Sequence, residues 1–205
     1  MKKKYKNKRI DFFNNLSETW DSREHLGILK SKLQKGFSML EIKPWENILD
    51  VGCGTGNLSV ELLEILNEDG RVTGIDISAG MIEKAKKKVD DTRCNFMVET
   101  SDDTPFSNAE FHRIFCLSVW PHLVDKGNHV KEFMRILKPG GSLHIWHVVS
   151  RKEIDEIHLR AGETVKEDIL PPGVETAAIL ESGGFSIKEV TDDSNQYLVT
   201  GIKLQ

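Results

Sequence analysis

Apolar residues recur along this chain in two alternating rhythms. Between Phe12 and Leu40 they fall at Phe12, Phe13, Leu16, Trp20, Leu26, Leu29, Leu33, Phe37 and Leu40, mostly three or four apart. That spacing predicts helices within residues 11–40, and Pro44 in EIKPWE ends the pattern. Short apolar runs then alternate with amphipathic ones. NILDVG (47–52) reads as a buried strand, and NLSVELLEILNE (57–68) as a helix closed by Asp69-Gly70. RVTGIDIS (71–78) is a second strand, AGMIEKAKKKVDD (79–91) a helix with a charged outer face, and NFMVETS (95–101) a third strand. RIFCLSVW (113–120) is a fourth. KGNHVKEFMRIL (126–137) is a helix that stops at Lys138-Pro139-Gly140-Gly141, and SLHIWHVV (142–149) is a fifth strand.

Strands alternating with single helices predict right-handed βαβ units, hence a doubly wound, mainly parallel sheet. The end of the chain differs. GFSIKEVTDDSNQYLVTGIKL (184–204) holds two strand-like runs around Asp192-Asp193-Ser194-Asn195 and predicts an antiparallel hairpin at the sheet edge. Pro171-Pro172 starts a last helix over 174–182. The length, 205 residues, suits one domain: a helical cap over 1–43, a ligand-binding core over 44–150, and a substrate-side insertion with the hairpin over 151–205.

Composition narrows the class. Hydrophobic residues make up 39% and charged residues 29%, as in a soluble globular protein. No apolar run approaches the roughly 20 residues of a membrane span. The basic start MKKKYKNKRIDFF has no apolar stretch behind it, so a cytoplasmic location is expected. The basic cluster reads as a solvated, frayed terminus, and a net charge of −4 speaks against a nucleic-acid partner. Three cysteines, Cys53, Cys94 and Cys116, form no C-x-x-C pair and fit a reducing compartment.

The chemistry begins at ILDVGCGTGN (48–57). Gly52, Gly54 and Gly56 stand in the first strand-to-helix turn, where open α/β sheets bind ligands. The helix starting near Asn57 would offer free N–H groups there. A dinucleotide loop has the spacing G-x-G-x-x-G; here the spacing is G-x-G-x-G, with Asp50 two residues ahead. A carboxylate there repels a pyrophosphate and attracts an ammonium group. Asp76 ends the second strand, twenty residues past Gly56, where a carboxylate can accept from two ribose hydroxyls. Ser78 is the better residue to cap the helix that follows.

These residues carry a family resemblance. ILDVGCGTGNLS resembles motif I of class I S-adenosylmethionine-dependent methyltransferases, VTGIDIS their second-strand acidic motif, and RILKPGGSLHIW the segment that leads into their fifth strand. FFNNLSETWD is similar to the helical cap of the ubiquinone/menaquinone C-methyltransferase-like group. The resemblance covers about residues 10–150 and the terminal hairpin, and it implies a Rossmann-like fold and S-adenosyl-L-methionine as cofactor. Asp50 would hold the methionine ammonium, with Gly52, Gly54 and Gly56 against the cofactor. Asp76 would bind the ribose and Ile77 would pack on adenine. Ser101 and Asp102, in the adenine-loop-like ETSDDTPF, would meet the base, and Leu117 would offer its carbonyl near the methionine. Two positions depart from the pattern: Thr100, where the family often has an acid, and His112, where it often has an aspartate.

Seven histidines are present. His25, His112, His129 and His144 read as cap, strand-end, helix-surface and strand-interior residues. His122 follows the fourth strand, His147 ends the fifth, and His158 lies just beyond, so the topology brings them together where the resemblance places the transferred methyl. As candidate catalytic residues they offer a general base. A divalent metal site is a second reading, with Asp155 or Glu156 adding a carboxylate. Unrelated polar positions are a third. Trp20, Trp120 and Trp146 are core residues or walls of an apolar acceptor site, and the long stretch 161–185 is able to shape a pocket. The expected function is methyl transfer to a small-molecule acceptor. A non-catalytic S-adenosylmethionine-binding protein and a nicotinamide-dependent oxidoreductase are the rival readings.

Overall fold

The computed structural model describes residues 2–23 and 26–205, with side chains for 8–22 and 26–205. His25, expected as a cap, and the side chains of Lys2, Lys3, Lys4 and Lys6 in the basic cluster lie outside the described residues. The strands are β1 (Asn47–Val51), β2 (Arg71–Asp76), β3 (Cys94–Val98), β4 (Phe111–Leu117), β5 (Leu137–His147), β6 (Phe185–Asp192) and β7 (Tyr197–Lys203). They run in the order β3-β2-β1-β4-β5-β7-β6, parallel from β1 to β3 and from β4 to β5, and antiparallel at β5-β7 and β7-β6. This is the doubly wound sheet with a terminal hairpin that the alternation predicts. The chain forms two compact units, residues 1–99 and 100–205.

In the first unit, α1 (Lys2–Leu16), α2 (Trp20–Arg23) and α3 (Leu26–Leu40) precede β1, and α4 (Asn57–Leu63) and α5 (Ala79–Lys88) link the strands. Leu33, Phe37 and Leu40 bury the apolar stripe of α3, as its spacing requires. The helical cap is fastened by polar bonds. Asn14 Oδ1 accepts from Ser78 Oγ (2.7 Å) and from the Gly80 N–H (3.0 Å) at the start of α5. Asp21 accepts from Thr55 Oγ1 (2.6 Å) and pairs with Lys88 (2.7 Å). Ser78 caps α5, as expected, by accepting the Met81 N–H at 3.1 Å.

In the second unit, α6 (Lys126–Ile136) joins β4 to β5, and α7 (Arg151–Ala161) and α8 (Gly173–Ser182) join β5 to β6. The expected stop at Lys138-Pro139-Gly140-Gly141 is instead a bulge inside β5: Phe111 pairs with Leu137, and Arg113 next pairs with Ser142. Pro139 has no N–H for a ladder, so those residues bow out and pairing resumes beyond them. Residues 151–161 form a helix that the sequence reading left unassigned. A capping box starts it, with Ser150 Oγ accepting the Glu153 N–H (3.3 Å) and Glu153 accepting the Ser150 N–H (3.0 Å). The hairpin turn closes on Asp193, whose Oδ1 accepts from the Asn195 N–H (2.7 Å) and the Gln196 N–H (3.0 Å). Trp120 and Trp146 are core residues, 0% and 1% exposed.

One glycine of β2 is fixed by close approach. A Cβ on Gly74 would lie 2.5 Å and 2.7 Å from the Phe96 ring and 3.0 Å from Cys53 Sγ, within the buried cluster of Cys53, Ile82, Ala85 and Phe96. Gly74→Ala is expected to cost about 1–3 kcal/mol through overpacking. It should lower the urea midpoint of unfolding; an unchanged midpoint would show that Phe96 yields without cost.

Candidate active site

The first unit builds its site where β1 and β2 end. The chain turns sharply after Val51, and Gly52, Gly54 and Gly56 all take left-handed φ values (66°, 52° and 85°). Side-chain-bearing residues rarely adopt that backbone, which answers for the glycine spacing. The Gly52 and Cys53 N–H groups both bond the Ile75 carbonyl, at 2.8 and 3.0 Å, so the loop hangs from the end of β2. Asp76 completes the tether, its carboxylate accepting from the Gly54 N–H (3.0 Å) and the Ser78 N–H (2.8 Å). From sequence Asp76 reads as a ribose ligand or as a residue of the helix N-cap region; here it holds the Ser78 N–H at the helix start and also shapes the glycine loop.

Asp50 is buried on β1, 1% exposed, and accepts a hydrogen bond from Ser59 Oγ at 2.7 Å. Burial pushes its carboxyl up to about 7; the Ser59 bond opposes this, and the neighbouring Asp76 adds to it. Asp76 keeps part of its residue surface open, but burial of the carboxylate raises it to about 6, against the pull of the backbone N–H groups of Ser78, Gly54 and Ile77. Two carboxyls held above their ordinary range mark a site that favours a cation or hydroxyl donors. Burial also raises the Cys53 thiol well above its usual range, so this cysteine stays an inert thiol.

In the second unit, Ser101 is buried and bonds His129 Nδ1 at 2.9 Å. His129 Nε2 meets the Val124 carbonyl at 3.0 Å; a carbonyl only accepts, so Nε2 carries the proton and Ser101 donates to Nδ1. His129 is thus a buried residue, 5% exposed, and not the helix-surface residue its place in α6 predicts. Asp102 is exposed and accepts from the Thr100 hydroxyl. Leu117 ends β4 opposite Trp146, and the chain leaves it through Ser118, at φ 55°. Ile77, back in the first unit, is half-buried between Asp76 and the Ser78 cap. His112 bonds Lys138 at 2.9 Å. His144 is buried in a network with Arg113 (2.8 Å), Ser142 (3.0 Å) and Thr200 (3.0 Å).

The other three histidines gather. His122 sits on a one-turn 3-10 helix, Trp120–His122, after β4. His147 ends β5 and His158 lies in α7. The His122 and His158 rings stand 4.6 Å apart. His147 is 0% exposed, and burial lowers its imidazole to about 3, with the charges of His122 and His158 adding to the effect. Asp168 organises the group from the 161–172 connection. Its Oδ2 accepts from His122 Nδ1 (2.8 Å) and its backbone carbonyl from His158 Nδ1 (2.6 Å). Both acceptors place a proton on Nδ1.

Asp168 was missed because no local spacing links it to histidines on three other elements. The carboxylates expected beside them are engaged elsewhere: Asp155 accepts the Leu170 N–H (3.0 Å), and Glu156 pairs on the surface with Lys152 and Arg160. Among the described residues no group of three or more His, Cys, Asp or Glu side chains is placed to hold a metal ion, so the metal reading of the histidines lacks structural support. One hydroxyl braces the cluster's scaffold: Thr176 Oγ1 accepts from Trp120 Nε1 (3.1 Å) and from Tyr197 Oη (2.6 Å). Tyr197 pairs with His147 in the β5-β7 ladder and meets it edge-on.

This fold and glycine loop define the nucleotide-type α/β class, and comparison with known proteins narrows it. A methyltransferase-domain family model matches residues 48–141. The chain is 32% identical over 141 residues to the ubiquinone/menaquinone biosynthesis C-methyltransferase of Geotalea daltonii, covering 67% of this chain and 57% of that one. It is 32% identical over 152 residues to an O-methyltransferase of Penicillium expansum, covering 72% and 54%. The chain therefore spans little more than half the length of these two relatives. A methyltransferase of Aquifex aeolicus, described as S-adenosylmethionine-dependent, superposes with a TM-score of 0.71 at 22% identity, over 84% of this chain and 89% of that one. Residues 48–141 thus match a methyltransferase domain, and the chain is similar to methyltransferases that include the ubiquinone/menaquinone biosynthesis C-methyltransferase group.

The raised carboxyls give a signed pH dependence. A folded-state carboxyl at about 7 holds a proton that the unfolded chain has released, so its contribution to stability falls as pH rises from the ordinary carboxylate range through 7. The lowered imidazoles of His129, His144 and His147 act oppositely, their contribution falling away below about 6.5. The difference between parent and Asp50→Asn isolates the carboxyl. The variant should gain in melting temperature relative to the parent between pH 5 and pH 8. A difference constant across that range would contradict a protonated Asp50 in the ligand-free protein.

Proposed function

We propose that this chain transfers the methyl group of S-adenosyl-L-methionine to a small-molecule acceptor. The observation that carries the reading is the Asp76 tether: one carboxylate holds the glycine loop and still has lone pairs for ribose hydroxyls. Asp50, raised by burial and by Asp76, suits the cofactor's ammonium group, whose charge favours the ionised carboxylate. Gly52, Gly54 and Gly56 give the cofactor bare backbone to lie against, and Ile77 supplies an apolar contact for adenine. In the second unit, Ser101, Asp102 and Leu117 keep the roles the resemblance implies, Ser101 through an oxygen that also serves His129.

The transfer is an in-line displacement. The acceptor's lone pair forms the bond to the methyl carbon, and the carbon–sulfur bond breaks with its electrons going to sulfur, which becomes a neutral thioether. The sulfonium is already activated, so the protein positions the reactants and removes a proton. His122 is the proposed base, its ring oriented by the Asp168 carboxylate on Nδ1. Relatives include an O-methyltransferase and a ubiquinone/menaquinone biosynthesis C-methyltransferase, and the second supports a small-molecule acceptor. We read residues 1–205 as one methyltransferase domain. The free thiols of Cys53, Cys94 and Cys116 support a reducing, cytoplasmic setting, and no helix among the described residues is long and apolar enough to cross a membrane.

Calorimetry with S-adenosylhomocysteine and with NAD tests the cofactor. Only the first should bind. Asp76→Ala should weaken it by about 1.5–3 kcal/mol, a factor of about ten to a hundred and fifty, through lost charge-assisted bonds and a loosened loop. Equal binding of NAD, or an unchanged affinity in Asp76→Ala, would overturn the assignment. Gly54→Val should abolish binding in a protein that still folds, since a branched residue is strained at φ 52°; normal binding by that variant would show that the loop does not touch the cofactor.

A further inference from the structure

Two carboxylates of the first unit point to the same face of its sheet. Asp50 on β1 stands directly opposite Gly74 on β2. Side chains alternate along a strand, so Asp76, two residues past Gly74, shares the face of Asp50 as its diagonal neighbour. Gly74 puts no side chain between them. The Asp76 carboxylate accepts the Gly54 and Ser78 N–H groups, which favour its charged form. Asp50 accepts from the Ser59 hydroxyl at 2.7 Å, and no lysine, arginine or histidine among the described residues pairs with it. The other titratable groups on this face are thiols: Cys53, whose Sγ would lie 3.0 Å from a Cβ on Gly74, and Cys94, packed on the same cluster. Lys88 reaches the glycine loop at Thr55 Oγ1 (3.0 Å), but Asp21 neutralises it at 2.7 Å. Two buried carboxyls that face one another across a glycine, with no cation beside them, do not both ionise.

We infer that the ligand-free site holds one proton, carried by Asp50 with Asp76 ionised beside it, and that an ammonium group displaces this proton on binding, so that Asp50 selects nucleosides bearing an ammonium group over neutral ones. This rests on the methyltransferase reading above and extends it from a contact to a proton exchange. Burial, which holds Asp50 at about 7 and Asp76 at about 6, agrees with that order. On binding, the Asp50 O–H bond breaks, its electron pair stays on the carboxylate, and the proton passes to the buffer. The ammonium keeps its own protons and supplies the positive charge the site lacks. A neutral nucleoside brings no charge and leaves the Asp50 proton in place. The apparent affinity for an ammonium ligand is the intrinsic affinity times the ionised fraction of Asp50. It levels off above about 7 and falls below that, by about thirtyfold from pH 8 to pH 5.5.

Calorimetry on the full chain tests this with three ligands. S-adenosylhomocysteine carries an ammonium and a carboxylate, its decarboxylated form only the ammonium, and 5′-methylthioadenosine neither. Each is titrated in two buffers of different ionisation heat, which counts the protons released. The first two should release about one proton each at pH 6 and close to none at pH 8. Methylthioadenosine, bound more weakly or not at all at pH 8, should release none. Asp50→Asn should abolish the release and flatten the pH dependence. It should weaken S-adenosylhomocysteine about tenfold or more and change methylthioadenosine less than about twofold. Ser59→Ala withdraws a donor from the Asp50 carboxylate and should move the fall in affinity to higher pH. If Asp50→Asn does not fold, Ser59→Ala and the three ligands on the parent chain carry the test. No proton release at pH 6, equal release with methylthioadenosine, or equal affinity for it at pH 8 would overturn the inference. Failure of S-adenosylhomocysteine to bind at any pH would instead strike the methyltransferase reading. Carboxyl 13C signals of the ligand-free chain, assigned from Asp50→Asn or Ser59→Ala, would then still judge the proton, since an Asp50 already ionised at pH 5.5 rules it out.

Discussion

The bond from the Asp76 carboxylate to the Gly54 N–H is the constraint on which the first unit's site depends. A turn through three left-handed glycines has little to hold it, because each glycine gives up more backbone freedom on ordering than another residue would. Asp76 and the Ile75 carbonyl supply the missing restraint from the end of β2. The same carboxylate fixes the Ser78 N–H and so the start of α5. Asn14 then reads that start from α1 by bonding Ser78 and Gly80. Loop, strand end, helix start and cap form one connected set. The concentration of two carboxyls there, one raised to about 7 and the other to about 6, is costly without a ligand and favourable with a cationic one.

Asp168 plays the corresponding part in the second unit, by different means. It uses both its side chain and its backbone, and each fixes one imidazole tautomer. Tautomer control decides which ring nitrogen donates and which accepts. Thr176 adds a second brace by accepting from Trp120 and Tyr197, which neighbour His122 and His147. The long connection between β5 and β6 carries α7, Asp168 and the start of α8, so what reads in sequence as an insertion is the part that assembles the histidines.

The sequence by itself determined the order of strands and helices apart from α7, the antiparallel ending, the glycine loop, the strand positions of Asp50 and Asp76, and the Ser78 cap. Each rests on neighbours within a few positions: apolar periodicity, turn residues and a strand-end carboxylate are local signals. It also brought His122, His147 and His158 to one end of adjacent strands, because parallel strands that follow one another in a sheet end on the same side. The structure decided what depends on residues far apart in the chain. It turned the Lys138–Gly141 stop into a bulge, since pairing with β4 continues on both sides of it. It buried His129 by giving its ring Ser101 and the Val124 carbonyl as partners. It spent Asp155 on the Leu170 N–H and put Asp168 beside the histidines instead. A carboxylate's partner is set by which connections pack together, and packing of a 161–172 connection against two strand ends and a helix has no period in the sequence to announce it.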